Sequence, residues 1–286
     1  YYIVISNKYK IYSDIELSIT HFTPHANKNV PTVICIHPTG FVSDMYASLA
    51  AHLRNINIFS LDLRSHGNSQ QGNVKDWSHL GNDLFAVFDF LKRFTNQNKF
   101  FGVGISSGSS SLAMHAAKYP NDFHGLYLCE PIIFPPDTEL KNREFLALSA
   151  RNRRDTFKNS LEVYERFSSR GVFSTLDRST LALYSKYGFK KNDSGITLKC
   201  KKEDEESIYN SGTSNDVWRK LKSITARTII VYGEKSNTMN KKQATEIAAQ
   251  IPNSKIEMLK NVGHFTLFEN PTLGAESIER FIRSTS

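Results

Sequence analysis

The sequence predicts an α/β fold in which a mostly parallel sheet is flanked by helices. Short apolar runs, rich in β-branched and aromatic residues, alternate with longer runs of helical spacing along most of the 286 residues. The short runs are apolar at successive positions, as expected for parallel strands that are buried on both faces. One long polar stretch, residues 131–215, interrupts this alternation and predicts a mainly helical insertion into a single core.

The elements of the predicted core can be read in chain order. Residues 2–22 alternate loosely and predict antiparallel strands at one edge of the sheet. The predicted buried strands are residues 32–37, 57–62, 100–105, 124–130, 228–233 and 255–259. The predicted helices are residues 44–54, 75–94, 107–118, 241–250 and 272–283. The core would therefore comprise residues 1–130 and 216–286.

The predicted insertion, residues 131–215, begins near Pro135-Pro136 and has helical patches around 141–170 and 176–188. It is too long for a loop within a compact domain, so we expect it to form a cap over the core. Its arginines allow two interpretations. Either Arg153 or Arg154 binds a carboxylate of the substrate inside an apolar pocket, or the segment is an amphipathic cap with a solvated basic face. The acidic residues interleaved with the basic ones favour the second.

Composition excludes several classes of protein. The formal charge is +8, but Lys and Arg are spread along the chain, so we expect no nucleic-acid partner. There is no apolar run of eighteen residues, so we expect no membrane span, and residues 1–20 lack the pattern of a signal peptide. Three scattered cysteines make neither a disulfide framework nor a zinc cage, which indicates a reducing, cytoplasmic location. The sequence does not indicate an oligomeric state.

The central motif is Gly104-Ile105-Ser106-Ser107-Gly108, which fits the pattern G-x-S-x-G. It follows the predicted strand 100–105 and opens the predicted helix 107–118, so the first serine would lie in a sharp strand-to-helix turn. Such a turn strains the serine backbone, and glycines two residues to either side let the strand and the helix approach each other. Ser106 is therefore the candidate nucleophile, whereas Ser107 lacks glycines at the same spacing.

Together with this motif, three further segments resemble the α/β-hydrolase superfamily, and the resemblance covers nearly all of the chain outside the insertion. Residues 36–41 (IHPTGF) resemble the family's oxyanion loop, with Pro-Thr-Gly after the histidine in place of an immediate His-Gly. Residues 62–69 (DLRSHGNS) resemble its D-x-R-G-H-G-x-S turn, with Ser65 replacing one glycine. Residues 263–271 resemble the loop of the catalytic histidine. The resemblance implies an α/β-hydrolase fold whose triad runs serine, acid, histidine along the chain.

The resemblance implies that His264 is the general base. His264 follows a glycine in the loop after the predicted strand 255–259. The role needs an imidazole that takes the proton of the serine and returns it to the leaving group. His37 and His66 lie in the other two motifs, and we expect them to shape turns through hydrogen bonds.

The triad acid has two candidates. In most of the superfamily it is an Asp shortly after the family's seventh strand, which corresponds here to residues 228–233. At that position this chain has the uncharged Ser236. Glu130 ends the predicted strand 124–130, which corresponds to the family's sixth strand. It resembles the acid of a subset that includes haloalkane dehalogenases, although those enzymes use an Asp nucleophile. A carboxylate directly after an apolar strand is costly to bury without a partner, and His264 would supply one. Glu234, near the tip of the seventh strand, is the alternative.

The resemblance also implies an oxyanion hole made of two backbone N–H groups. One is that of Ser107, the residue after the nucleophile. The other comes from the loop after the third strand, where Thr39 has the expected position and Gly40 or Phe41 is the alternative. No cofactor and no metal are implied.

These residues predict a serine hydrolase that cleaves a small-molecule carboxylic ester or lactone through an acyl-enzyme. Cleavage of a carbon–carbon bond in a diketone-like compound uses the same triad and stays open. A different class of function is a non-catalytic ligand-binding protein or receptor on the same fold, which the missing Asp at Ser236 favours. Contact between Glu130 and His264 would remove that reason. A lyase or peroxidase on this fold is a third alternative, because fold alone does not determine function.

Overall fold

A computed structural model describes residues 6–12, 14–23, 29–72, 74–136, 138, 143–211 and 215–285 of the chain. Its strands form a central eight-stranded sheet and a separate three-stranded sheet. In chain order the strands are β1 (Asn7–Tyr12), β2 (Glu16–His21), β3 (Thr32–Ile36), β4 (Asn57–Asp62), β5 (Phe100–Ile105), β6 (Phe123–Cys129), β7 (Thr156–Phe157), β8 (Phe189–Asn192), β9 (Gly195–Leu198), β10 (Arg227–Gly233) and β11 (Ser254–Leu259).

The central sheet has the order β1-β2-β4-β3-β5-β6-β10-β11. The pairs β1–β2 and β2–β4 are antiparallel, and every other neighbouring pair is parallel. The predicted mostly parallel sheet is therefore confirmed. β1 and β2 occupy the antiparallel edge that the loose alternation of residues 2–22 predicts; residues 2–5 and 13 of that range lie outside the described residues.

Helices cover both faces of this sheet. Adjacent residues of β3 show the two faces: Ile34 and Ile36 belong to one hydrophobic cluster, whereas Val33 and Cys35 belong to the other, because side chains alternate along a strand. The helices are α1 (Ala47–Ala50), α2 (Ser78–Thr95), α3 (Ser107–Lys118), α4 (Arg143–Asn152), α5 (Ser160–Phe167), α6 (Arg178–Tyr187), α7 (Lys202–Ser211), α8 (Asn215–Lys220), α9 (Lys241–Ala248), α10 (Thr266–Glu269) and α11 (Pro271–Arg283).

Local signals account for several of these boundaries. Asn240 and Gln243 form a capping box that starts α9, and the Asn270 side chain caps α11, whose first residue is Pro271. The helix predicted over residues 44–54 is shorter than expected. It consists of the 3₁₀ turn Ser43–Tyr46 followed by the single turn of α1.

A long excursion of the chain separates β6 from β10, although these two strands are neighbours in the sheet. It carries helices α4 to α8 and the small sheet, whose strand order is β7-β9-β8. Neither this sheet nor α7 was predicted, because their strands have only two to four residues and α7 is highly charged. We call residues 131–215 the inserted segment; residues 137, 139–142 and 212–214 lie outside the described residues.

The described helices include none that is long and apolar enough to cross a membrane. Cys35, Cys129 and Cys200 are all free thiols, and all three are buried. Each therefore packs as a small apolar residue, which the sequence predicts for Cys35 and Cys129 from their strand-like runs.

Candidate active site

Ser106 lies in the sharp turn between the end of β5 and the start of α3. Its backbone angles, φ 56° and ψ −120°, are strained for a residue with a side chain. The turn is held by backbone hydrogen bonds, since the Ser106 N–H donates to the Cys129 carbonyl (2.9 Å) and its own carbonyl accepts from the Ser110 N–H (3.1 Å). The Ser106 side chain is half-buried, and its hydroxyl makes no hydrogen bond with a described residue. The hydroxyl is therefore available to a substrate.

The two glycines of the motif allow this turn to pack. A Cβ atom on Gly104 would lie 2.6 Å from the backbone nitrogen of Ser109, and one on Gly108 would lie 2.2 Å from the carbonyl oxygen of Ile36. Both distances are far below those of real contacts. The glycine spacing therefore follows from the close approach of α3 to β5 and β3.

Glu130 comes directly after β6 and has a positive φ of 43°. Its side chain is fully buried, and its Oε2 accepts a hydrogen bond from His264 Nδ1 at 2.6 Å. Its Oε1 accepts from the Gly233 N–H at 2.9 Å, and its own N–H donates to the Val231 carbonyl at 2.8 Å. An ionised Glu130 holds the proton of His264 on Nδ1, which leaves Nε2 as an acceptor.

The loop that carries His264 is anchored by a second glutamate. The carboxylate of Glu269, in α10, accepts from the Gly263 N–H (2.7 Å) and from the Phe265 N–H (3.1 Å). These bonds fix the residues on both sides of the histidine. The resemblance of residues 263–271 to a catalytic-histidine loop therefore has a structural basis in a carboxylate that ties the loop to the following helix.

Ser236 has a role that the sequence analysis missed. Its hydroxyl donates to Glu130 Oε2 at 2.6 Å, the same oxygen that accepts the hydrogen bond from His264 Nδ1. The Ser236 oxygen in turn accepts from the N–H groups of Thr238 (3.1 Å) and Met239 (3.2 Å). The position at which the family resemblance implies an Asp thus supplies a hydrogen-bond donor to the Glu130 carboxylate at the end of the neighbouring strand. The signal that could have revealed this contact is that β6 and β10, the strands before Glu130 and Ser236, are neighbours in the sheet.

Glu234, the alternative acid, lies elsewhere. It is exposed, and its carboxylate accepts from the Asn261 N–H at 2.8 Å. This contact links the turn after β10 to the turn after β11. The carboxylate that contacts His264 is that of Glu130.

The candidate oxyanion amides meet around the start of α3. Ser107 is the first residue of that helix, so its N–H has no partner within the helix. The amides of the loop after β3 already have acceptors: the Thr39 N–H donates to Ser107 Oγ (2.8 Å), the Gly40 N–H to His66 Nε2 (2.9 Å) and the Phe41 N–H to the Pro38 carbonyl (3.2 Å). Of the candidate amides, Ser107 therefore has the one that is open.

The site can now be compared with known proteins. A family model described as serine aminopeptidase, S33, matches residues 27–271. The chain belongs to this family. Among curated relatives, it is 22% identical to monoacylglycerol lipase abhd6-A of Xenopus laevis, over 97% of this chain and 82% of the relative. It is 21% identical to a putative esterase/lipase of Haemophilus influenzae, over 89% of this chain and 84% of the relative.

Solved structures show the same fold. E-2-(acetamidomethylene)succinate hydrolase superposes with a TM-score of 0.84 at 17% identity, covering 98% of this chain and all of that chain. The thioesterase domain of a curacin biosynthetic pathway has a TM-score of 0.77 at 16% identity, covering 96% and 99%. The protein is thus an α/β hydrolase, and the predicted fold class and enzyme class are confirmed.

Two buried histidines organise the loop after β3, which is the candidate oxyanion loop of this α/β hydrolase. His37 Nδ1 donates to the Pro38 carbonyl (2.8 Å) and its Nε2 accepts from the Leu63 N–H (3.1 Å). His66 Nδ1 donates to the Arg64 carbonyl (2.9 Å), which leaves Nε2 to accept from the Gly40 N–H. Burial lowers the pKa of both rings, and that of His37 falls to about 3. Both histidines are therefore neutral and structural.

The two arginines considered as carboxylate ligands lie in different surroundings. Arg154 is exposed, pairs with Glu162 at 2.8 Å and lies over the ring of Phe157. Arg153 is largely buried and pairs with Glu205 at 2.6 Å. Arg153 Nη1 lies beside Gly40 in the loop after β3, 3.6 Å from where a Cβ atom on Gly40 would be. Among the described residues, no group of three or more His, Cys, Asp or Glu side chains could hold a metal ion.

The elbow packing predicts that Gly108→Ala destabilises the hydrolase by about 1–3 kcal/mol or more, because the new Cβ would overlap the Ile36 carbonyl and a backbone atom cannot move aside easily. Urea unfolding measures the change. Gly72→Ala is the matched control, since a Cβ there meets only side-chain atoms at 3.8 Å or beyond. Equal stabilities of the two variants would contradict the packing argument.

The pKa of His37 predicts a dependence of stability on pH. The unfolded imidazole has a pKa of about 6.5, so between pH 6.5 and about 3 the unfolded chain binds the additional proton. The free energy of unfolding therefore falls as the pH falls, and His37 alone contributes a loss of about 2 kcal/mol between pH 7 and pH 5. Urea unfolding of His37→Gln at both pH values should show this part of the loss removed. The exposed His52→Gln is the control, and an unchanged loss in His37→Gln would refute the assignment.

Proposed function

We propose that this α/β hydrolase is a serine esterase with Ser106 as nucleophile, His264 as general base and Glu130 as the acid that orients the histidine. The contact between His264 Nδ1 and the buried Glu130 carboxylate is the observation that carries the proposal. It gives the imidazole a fixed tautomer with an unprotonated Nε2, which is the form that can accept the proton of a serine. The same contact removes the reason to favour a non-catalytic receptor.

The reaction proceeds in two steps. Nε2 of His264 takes the proton of Ser106 as Oγ attacks the ester carbonyl, and the resulting imidazolium gives that proton to the leaving alcohol as the tetrahedral intermediate collapses. Water, deprotonated by the same imidazole, then attacks the acyl-enzyme and releases the acid and the free serine. Glu130 stays ionised throughout and stabilises the imidazolium.

The oxyanion is held by the open N–H of Ser107, at the positive end of α3, and by one amide of the loop after β3. We assign the second donor to Thr39, whose N–H and hydroxyl both point to Ser107 Oγ at 2.8 and 3.0 Å. The present acceptor, Ser107 Oγ, thus belongs to the same residue whose N–H is the first oxyanion donor. A small shift of the loop therefore transfers the Thr39 N–H from the Ser107 hydroxyl to the oxyanion. Gly40 and Phe41 are the alternative donors, but each would have to leave a separate partner.

The inserted segment, residues 131–215, acts as the cap of the site. Its Phe173 ring packs 5.4 Å from that of Phe41 in the oxyanion loop, and Phe41 packs 4.8 Å from Phe265, the neighbour of His264. Tyr184 of α6 joins the same cluster at 5.8 Å from Phe41. An apolar wall thus runs from the inserted segment to both loops of the proposed site, which suits the acyl or alkyl part of an ester.

A carboxylic ester or lactone is the proposed substrate class. Curated relatives are monoacylglycerol lipases and a putative esterase/lipase, all at 21–23% identity, so the relatives favour ester cleavage without identifying the ester. Cleavage of a carbon–carbon bond would use the same Ser106 acyl-enzyme. No specific contact of the described residues favours it.

Labelling with a fluorophosphonate probe tests the triad. The wild type should react rapidly, Ser106→Ala should not react, and His264→Ala and Glu130→Gln should react about 10³- to 10⁴-fold more slowly, because each loses the base or its orientation. Glu234→Gln is the matched control, since the exposed Glu234 contacts only the turn after β11; it should react within twofold of the wild type.

Two results of this labelling would contradict the proposal. A folded wild type that does not react would remove the activated serine. A Glu130→Gln variant that reacts as fast as the wild type, with a slow Glu234→Gln variant, would move the acid to Glu234.

Ser236 serves as a positioning residue for Glu130. Loss of its hydrogen bond to the carboxylate in Ser236→Ala should lower kcat by about 10- to 100-fold with little change in KM, because hydrogen bonds to charged groups are among the stronger ones. Ser236→Thr keeps the hydroxyl and should recover most of kcat. Steady-state hydrolysis of a p-nitrophenyl ester measures both constants.

A second variant tests whether activity depends on a carboxylate at this edge of the sheet, whichever of the two strands carries it. Glu130→Ala/Ser236→Asp moves the carboxylate from the end of β6 to the turn after β10, and it should be more active than Glu130→Ala alone. Equal activity of the two, together with an unaffected Ser236→Ala, would remove the role of Ser236.

A further inference from the structure

A buried polar cluster lies within the inserted segment, where three of its parts meet. Arg153, just after α4, donates from Nη1 to Glu205 Oε2 of α7 (2.6 Å) and from Nη2 to the Tyr184 hydroxyl of α6 (2.9 Å). The side chains of Arg153 and Glu205 are only 16% and 8% exposed, and Tyr184 is fully buried. Ionised groups are rarely buried to this degree unless they are paired, because desolvation is costly.

This cluster borders the proposed oxyanion loop. A Cβ atom on Gly40 would lie 2.8 Å from Glu205 Oε1 and 3.6 Å from Arg153 Nη1. The Arg153 guanidinium also lies 5.9 Å from the ring centroid of Phe173, which packs on Phe41 in the same loop. Arg153 and Glu205 therefore lie beside the aromatic cluster of Phe41 and Phe173, next to the loop that follows His37.

The hydrogen-bonding capacity of the pair is only partly used. Glu205 Oε2 is taken by Arg153, but Oε1 accepts no hydrogen bond from a described residue. A guanidinium has five N–H donors, and the described residues use two of them, at Glu205 and Tyr184. An acceptor and several donors thus stay open side by side. Neither Glu205 Oε1 nor an Arg153 nitrogen is among the fully buried atoms that lack a hydrogen-bond partner, so the open groups are accessible to a ligand.

The charges decide which ligand group fits. The ion pair is neutral as a whole, so a substrate carboxylate would gain from Arg153 but be repelled by Glu205, and it has no proton to donate to Oε1. An ammonium group would meet the opposite difficulty at Arg153. A hydroxyl both donates and accepts one hydrogen bond and carries no charge, so it satisfies Glu205 Oε1 and an Arg153 N–H together.

We propose that Arg153 and Glu205 form a subsite that binds a hydroxyl group of the substrate, so that the preferred esters are hydroxylated ones such as monoesters of a polyol. The inference rests on the serine-esterase function proposed above and names the substrate class of that site. It differs from both interpretations that the sequence left open for Arg153, a carboxylate ligand and a member of a solvated basic face. Tyr184 positions the guanidinium by accepting its Nη2 hydrogen bond.

Matched pairs of esters test the subsite. 1-Monobutyrylglycerol is compared with propyl butyrate, and methyl 3-hydroxybutyrate with methyl butyrate; within each pair only hydroxyl groups differ. The wild type should favour the hydroxylated member of at least one pair by tenfold or more in kcat/KM, since a site built for a hydroxyl leaves its polar groups unpaired with the other ester. Methyl hydrogen succinate, which carries a carboxylate, should be a poor substrate.

The decisive variant is Arg153→Met/Glu205→Leu. Removing both charges avoids an uncompensated buried ion, which single substitutions would leave, so the double variant is expected to fold. Its preference for the hydroxylated ester should fall to below threefold, and retained fluorophosphonate labelling of Ser106 would show that the double variant still has a folded, activated site. Arg154→Met/Glu162→Leu, which removes the exposed pair, is the matched control and should keep the preference.

The outcomes separate the two proposals. Absence of labelling in the wild type would overturn the esterase itself. Normal labelling with no preference for hydroxylated esters, or with a preference that survives in the double variant, would overturn only the subsite. Faster hydrolysis of methyl hydrogen succinate than of its neutral analogues would assign the subsite to carboxylates instead.

Discussion

The rest of the site depends on the hydrogen bonds that the buried carboxylate of Glu130 accepts. A fully buried charge is tolerated only when hydrogen bonds compensate for the lost water. Three donors do so here: the Gly233 N–H on one oxygen, and the Ser236 hydroxyl and the His264 ring on the other. These donors come from the end of β10, the turn after it and the loop after β11. Satisfying one carboxylate therefore fixes the conformation of three segments of the chain.

The same edge of the sheet aligns the serine with this carboxylate. β5 and β6 are neighbouring parallel strands, so the residues that follow them emerge side by side, and the Ser106 N–H donates to the carbonyl of Cys129, the residue before Glu130. Ser106 and Glu130 both have positive φ angles, of 56° and 43°. Strain of this kind persists only where the surroundings over-determine the backbone. Here the surroundings are the close approach of α3 at Gly108 and the hydrogen bonds of the carboxylate.

The oxyanion loop joins the core to the inserted segment. On the core side, the neutral His66 accepts the Gly40 N–H, and Ser107 accepts the Thr39 N–H. On the other side, Glu205 lies against Gly40 with its Oε1 open. A polar group of a substrate and the oxyanion formed from it would therefore meet the same short loop. In the proposed enzyme, recognition by the inserted segment and stabilisation of the oxyanion would in this way be physically linked.

Local sequence patterns by themselves determined the fold class and pointed to Ser106, whereas Glu130 and His264 became candidates through the resemblance to the α/β-hydrolase superfamily. Strand periodicity and the G-x-S-x-G turn are properties of consecutive residues, so they need no knowledge of distant contacts. Other features were decided only by the tertiary structure. They are the hydrogen bond of Ser236 to the Glu130 carboxylate, the ion pair of Glu205 with Arg153, and the small sheet formed by residues between α4 and α7. Ser236 meets Glu130 because β10 lies next to β6, whereas Arg153 meets Glu205 because α4 packs on α7 within the inserted segment. No local pattern encodes such a meeting.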